Sequence, residues 1–204
     1  SFRDPAGGWV AVYLQLNVIA YNSKLVAKSE APKGYDDLLN AKWKGRMGLD
    51  DKQYIWFDGL LKVMGREKGL AYFKRLATQA IQFRSGNTLL ANLLAAGEFG
   101  ILINARPESV DELKQKGAPV DWLPMDIVPT NVGGAAIAVQ PPHPHGALLL
   151  ADYLLGPEGQ AVLEKFEYGS AAKNLGFKRW RPDHGIATDK YEKDLERWEK
   201  LLKE

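Results

Sequence analysis

From Trp9 to Asn22 the chain alternates. Val10, Val12, Leu14, Leu16, Val18 and Ala20 stand against Ala11, Tyr13, Gln15, Asn17 and Ile19, the two-residue period of one unusually long extended element. Ala31-Pro32-Lys33-Gly34 then makes a turn and residues 35–40 a short helical piece. Residues 45–49 predict a strand that ends in Asp50-Asp51. Two helices follow, Tyr54–Met64 closed by Gly65 and 67–77 with Leu70, Phe73, Leu76 and Ala77 on one face.

Residues 80–83 predict a strand, and Arg84-Ser85-Gly86-Asn87 leads into a helix with Leu89, Leu90, Leu93 and Leu94 as its buried stripe and Asn87 as its N-cap. Gly97 closes that helix, residues 99–103 form a continuously apolar strand, and Pro107 opens a helix that runs to Lys116. A strand at 120–123 completes the series. The alternation of strand and helix predicts an α/β unit with a largely parallel sheet covered on both faces. Residues 124–134, with their Pro, Gly and polar Asp126, Thr130 and Asn131, mark a crossover or boundary. A strand at 135–139, a Pro-rich loop and helices at 146–155 and 157–166 come next. Residues 189–204 predict a charged helix with Tyr191, Leu195, Trp198 and Leu202 on its apolar face.

Composition narrows the function classes. Of 204 residues, 46% are hydrophobic and 25% charged, which is globular and excludes disorder or a fibrous repeat. The balance of 27 Lys and Arg against 25 Asp and Glu argues against a broad basic face for nucleic acid. Without cysteine there is no disulfide framework, thiolate metal site or cysteine nucleophile. The apolar stretches are shorter than the ~20 residues of a membrane span. The start, Ser1-Phe2-Arg3-Asp4-Pro5, lacks an initiator Met and a signal-peptide pattern and reads as trimmed or internal.

No nucleophile elbow, phosphate loop or dinucleotide-binding fingerprint occurs. His143, His145 and His184 all fall in Pro-rich or Gly-flanked loops, without the helix or strand that would aim them at a metal or a serine. The reading is therefore non-enzymatic, with no catalytic residue, no metal ligand and no cofactor. Three loops at strand ends carry the remaining polar chemistry. They are Asp50-Asp51-Lys52-Gln53-Tyr54, Arg84-Ser85-Gly86-Asn87-Thr88 and Asn104-Ala105-Arg106-Pro107-Glu108. In an open parallel sheet such loops cluster at one edge, where helix N-termini hold anions. Gln53, Tyr54, Ser85, Gly86, Asn87, Thr88 and Arg106 are the candidate ligand-binding residues, with capping as the plainer alternative for each loop. Tyr13 and Gln15 are further candidates, although alternation leaves their side undecided.

Specific motifs now carry a resemblance. Trp9-Val10, Asn17-Val18-Ile19-Ala20-Tyr21-Asn22, Ala31-Pro32-Lys33-Gly34-Tyr35-Asp36-Asp37-Leu38-Leu39 and Lys42-Trp43-Lys44-Gly45-Arg46 resemble the extracellular solute-binding proteins of bacterial ABC importers. The branch is that of the periplasmic ferric-ion-binding proteins and their relatives for sugar phosphates, phosphonates and polyamines. Ala95-Ala96-Gly97-Glu98 agrees, as does His143-Pro144-His145-Gly146-Ala147 leading through Asp152-Tyr153-Leu154-Leu155 to Gly156-Pro157-Glu158-Gly159-Gln160. The resemblance runs from about residue 9 to 166.

The resemblance implies an α/β periplasmic-binding-protein fold of type II, two lobes joined by crossover strands with the ligand trapped as they hinge shut. It places a crossover strand at 1–17, a complete second lobe with a mainly parallel mixed sheet at 18–124, a return crossover at 125–134, and part of the first lobe with the C-terminal helix at 135–204. The opening of the first lobe is missing on that mapping. Exposed apolar faces on the helices at 146–155 and 157–166 would then lead the fragment to pair with another chain, by swapping or by face-to-face contact.

The function implied is capture of a small polar or anionic solute, or a metal–anion complex, for delivery to an ABC permease. It is exercised in the periplasm or outside the cell, with any membrane anchor supplied by a lipoprotein signal upstream. Ferric-binding relatives place two adjacent tyrosines where this chain has Arg106-Pro107-Glu108, so the tyrosine iron site is not carried over. Asn87, Gln53 and Tyr54 fall where relatives meet their ligands. Arg106 suits a carboxylate or phosphate. An enzyme or a cytoplasmic effector-sensing domain on the same two-lobed fold is the alternative.

Overall fold

The computed structural model describes residues 3–166, 168–170, 176, 178–180 and 188–203. Along the chain come β1 (Val10–Leu16), β2 (Val18–Asn22), two 3-10 turns at Tyr35–Leu39 and Ala41–Trp43, and β3 (Met47–Asp50). Then follow α1 (Tyr54–Met64), α2 (Arg66–Ala77), β4 (Gln82–Arg84), α3 (Asn87–Ala96), β5 (Ile101–Ala105), α4 (Pro107–Gln115), β6 (Val120–Leu123) and β7 (Val128–Ala135). The chain continues through α5 (Pro144–Leu155), α6 (Pro157–Lys165), β8 (Gly169–Ser170), β9 (Arg179–Trp180) and α7 (Thr188–Lys203). The fold class is α/β, as expected, and the helices flank the sheets.

The single long element expected at 9–22 is two strands. Asn17 breaks it: its backbone N–H and its side-chain Nδ2 both donate to the carbonyl of Pro129, at 2.9 and 3.1 Å. A polar residue buried to 1% exposure takes partners off the regular ladder, so the strand restarts at Val18 in a different sheet. The chain divides near this point into two compact units, Ser1–Gln15 with Asn131–Gly176 and Leu16–Thr130 with Phe177–Glu204.

The larger unit is built on a five-stranded sheet of order β4-β3-β5-β2-β6. β3 runs parallel to β4 and β5, whereas β2 is antiparallel to β5 and β6. Ile101, Leu102 and Ile103 of β5 are fully buried, as a central strand covered on both faces requires. Trp56 meets Phe57 and Phe73 edge to face and Phe57 is tilted against Phe73, with ring centroids 5.0 to 5.7 Å apart across α1 and α2. Trp198 of α7 joins this cluster. The sequence reading grouped the C-terminal helix with residues 135–204; its buried Trp198 and Leu202 instead belong to the core beneath α1 and α2. An amphipathic helix goes wherever an apolar groove is open, which sequence neighbourhood does not reveal. Tyr191 sits in α7, and its side chain lies outside the described residues.

In α3 the buried side chains are Leu90, Ala91 and Leu94, while Leu89 is exposed. Gly97 closes this helix at φ 86°, a left-handed conformation that glycine adopts without cost. Ala80 takes a similar conformation with a side chain, at φ 50°. Ala80→Gly is expected to stabilise the chain by about 0.5–1 kcal/mol by removing the Cβ penalty; a lower chemical-denaturation midpoint would refute this.

In the smaller unit β1 lies between β8 and β7, paired antiparallel to β8 at Tyr13↔Ser170 and Leu14↔Gly169. Gly133 of β7 lies directly under the Tyr13 ring, where an added Cβ would stand 2.2 Å from Cζ. The strand expected at 135–139 is displaced: β7 covers Val128–Ala135, and 136–139 belong to no strand. An apolar run reads as a buried strand only if another strand pairs with it, and among the described residues none does. Helix α5 begins at Pro144 and buries none of its residues. Leu149 is 71% exposed and Val139 fully so. With Trp9, Val10, Ile137, Leu150 and Leu154 the unit forms an apolar groove of about 600 Å³.

Candidate functional site

Parallel neighbours end at the same edge of a sheet. The carboxyl ends of β4, β3 and β5 therefore lie side by side in the larger unit, and the loops that leave them start α3, α1 and α4. The three polar loops of the sequence meet there. Asp50, the last residue of β3, receives the main-chain N–H of Lys52 on Oδ1 at 3.0 Å, and on Oδ2 the side-chain amide of Gln53 at 3.2 Å and the N–H of Gly86 at 3.4 Å. Gln53 in turn accepts from Arg106 Nη2 on Oε1 at 2.7 Å, while its Nε2 reaches Asn87 Oδ1 at 3.5 Å. Arg106 Nη1 donates to the carbonyl of Leu16 at 3.2 Å. Ser85 donates its hydroxyl to Asp51 Oδ1 at 3.0 Å.

Gln53, Ser85, Gly86, Asn87 and Arg106 are thus brought together. Asn87 is not the N-cap it was expected to be: Gly86 holds that position and Asn87 is the first helical residue, which leaves its carbonyl oxygen for Gln53. Thr88 is exposed on the same turn. Tyr54 departs from the expectation, because its ring is buried in the hydrophobic core; an aromatic in the first turn of an amphipathic helix gains more from burial than from lining a polar loop. Tyr13 belongs to the smaller unit, half-buried with its ring 4.8 Å from that of Tyr168. Gln15 accepts from Asn131 at 3.5 Å in that unit.

The helix starts are not vacant anion seats. Asp50 occupies the N–H at the start of α3 and the loop N–H before α1. At α4 the half-buried Glu108 stands in the first turn, where a carboxylate meets the positive end of the helix. The guanidinium of Arg106 is 6% exposed and oriented by two acceptors, Gln53 Oε1 and the Leu16 carbonyl. Arg106 presents a planar fork suited to carboxylate or phosphate.

Sequence reasoning missed Asp50 and Asn104 as site residues. Asn104 is almost completely buried and exchanges two hydrogen bonds with the backbone of Asp50, at 2.9 and 2.8 Å. The signal was legible: each is the polar residue at the carboxyl end of an otherwise apolar strand.

Burial raises the Glu108 carboxyl above its ordinary value of 4.5, with its own backbone and Arg106 pulling it back. A raised folded value means that the native state holds the proton more tightly than the unfolded chain, so this group's contribution falls as pH rises from the ordinary to the raised value. Glu108→Gln is therefore expected to flatten that part of the stability profile and to match or exceed the parent at neutral pH. A steeper profile in urea titrations would sink the assignment.

His143 and His145 are exposed around the start of α5, and His184 lies outside the described residues. Among the described residues no group of three or more His, Cys, Asp or Glu is placed to hold a metal ion. No helix among them is long and apolar enough to cross a membrane.

A family model described as bacterial extracellular solute-binding protein matches residues 1–193. Iron uptake protein A1 of Synechocystis is 24% identical over 183 residues, which cover 81% of this chain and 50% of that protein; the chain spans about half the length of this curated relative. Among solved structures, the substrate-binding protein of an ABC transporter from Agrobacterium tumefaciens superposes with TM-score 0.78 at 14% identity, covering 100% of this chain and 70% of that one. The periplasmic binding protein AfuA from Actinobacillus pleuropneumoniae, with fructose-6-phosphate bound, superposes with TM-score 0.72 at 22% identity, covering 96% and 68%.

Proposed function

The chain belongs to the bacterial extracellular solute-binding protein family, and on that premise we propose that it captures a small polar or anionic solute and hands it to the permease of an ABC importer. It works by binding and not by catalysis, outside the cytoplasmic membrane. The observation that carries the solute class is the buried Arg106, held by Gln53 and Leu16 at the edge where three loops meet. A guanidinium fixed in this way meets an oxyanion without having to reorganise, which favours a phosphate or carboxylate over a bare cation. Gln53, Ser85 and Asn87 supply amide and hydroxyl partners beside it. We assign Gly86 the role of keeping backbone close to that edge. Thr88 is the outermost contact.

Two relatives point different ways, one named for iron uptake and one holding a sugar phosphate. Arg106 supports the second chemistry here. A thermal-shift screen with fructose 6-phosphate, inorganic phosphate, citrate, ferric citrate and spermidine tests it, because a solute that binds only the native state raises its melting temperature. Phosphorylated or carboxylated probes are expected to raise it. A response to ferric salts or spermidine alone would overturn the class. Asn87→Ala is expected to weaken the bound probe by a few-fold with little loss of stability; unchanged affinity in calorimetry would leave Asn87 no role beyond the turn it starts.

For the 204-residue chain taken alone, the exposed Leu148, Leu149 and Leu150 of α5 support association with a second copy, since soluble monomers rarely leave such a patch open. Light scattering at micromolar concentration is expected to give more than one chain's mass, and a monomer would refute it.

A further inference from the structure

We infer that Asn104 is the positioning residue of this network: its carboxamide fixes the spacing between the Asp50 carboxylate and the Arg106 guanidinium, and with it the solutes that the pair accepts. The inference rests on the solute-binding reading above. β3 and β5 run parallel in the register Met47↔Ile101 and Gly48↔Leu102, and continuing that register sets Asp50 opposite Asn104. There the partner is a side chain. Asp50 N–H donates to Asn104 Oδ1 at 2.9 Å and Asn104 Nδ2 donates to the Asp50 carbonyl at 2.8 Å. A carboxamide offers one donor and one acceptor at the spacing of a peptide unit, so it pairs with both backbone groups of one residue. A carboxylate would lack the donor, and an aliphatic side chain would leave two buried backbone groups unmet.

The clamp closes a ring. From Asn104 it passes to Asp50, from the Asp50 carboxylate to Gln53, from Gln53 to Arg106, and back along the backbone through Ala105. Asp50 and Asn104 are both nearly inaccessible to solvent, so no water competes for the two bonds between them, and that buried pair holds its geometry. A shift at Asn104 therefore moves both charged ends of the site, although Asn104 itself touches no solute.

The test uses the whole chain. In the parent, hydrogen exchange is expected to show the Asp50 amide protected, and an Asp50 amide that exchanges like an open loop would overturn the clamp. Asn104→Gln keeps donor and acceptor but lengthens the reach by a methylene. It is expected to shift the NMR signals of the Gln53 side-chain amide and the Arg106 guanidinium. It should also lower affinity for fructose 6-phosphate or inorganic phosphate by about 10-fold or more, as changes behind a binding residue do. Val110→Ala, in α4 with its side chain fully buried, is the destabilised control and should leave those two signals in place. Signals that respond no more to Asn104→Gln than to Val110→Ala would refute the positioning role. If the signals move while neither probe binds the parent, the solute class fails and the ring stands.

Discussion

Replacing Trp198 with alanine is expected to cost about 3–5 kcal/mol of stability, the range for removing a buried aromatic side chain. That is a large part of the roughly 5–15 kcal/mol by which a domain holds together. The Trp198 ring stacks on Phe57 with centroids 5.1 Å apart and planes 11° from parallel, and meets Phe73 edge-on at 5.1 Å. Trp198 is 3% exposed, so truncation leaves a cavity between α7 and the helices under it. The surface ion pair between Lys52 and Glu199 cannot compensate, because exposed pairs contribute about 0–1 kcal/mol. Trp198→Phe should cost much less, since it keeps the stack and removes a buried indole N–H that has no acceptor among the described residues. The measurement is the guanidinium midpoint of each variant. If Trp198→Ala unfolds at the parent's midpoint, α7 is not part of the larger unit's core.

Why α7 had to be found in the structure and β5 did not is a matter of range. A continuous apolar run such as residues 99–103 dictates burial on both faces, and Pro107 and Gly97 mark the helix limits through backbone geometry alone. The bounds of α1 could be read from its sequence for the same reason. The residues of α7 specify an apolar stripe but not the groove that receives it. Asn17 shows the opposite failure: its alternation fits a continuous strand, and only the distant carbonyl of Pro129 takes it off the ladder. At the site, the parallel order of β4, β3 and β5 follows from the strand–helix alternation, so the meeting of the three loops was legible. The filling of the helix starts by Asp50 and Glu108 was not, because a carboxylate two or three residues from a helix start reads equally as a cap and as a wall of a pocket.

Arg106→Met carries the largest functional effect. Methionine keeps much of the apolar stem but removes the charge and every donor. Two acceptors, Gln53 Oε1 and the Leu16 carbonyl, lose their partner, which should cost about 1–3 kcal/mol of stability for each that stays dry. The anionic probe that raises the parent's melting temperature loses its counter-charge as well. Removing one side of a buried charged contact costs about 2–4 kcal/mol of binding, a drop of roughly 30- to 900-fold in affinity. Arg106→Lys separates the two effects. It retains the charge, but an ammonium on a flexible stem cannot span both acceptors as the planar fork does, so affinity should fall less than in Arg106→Met while selectivity between phosphate and carboxylate narrows. Calorimetry on both variants, at a temperature where circular dichroism shows each folded, decides the matter. Equal affinity in the parent and Arg106→Met would remove Arg106 from the site and with it the reason to expect an anionic solute.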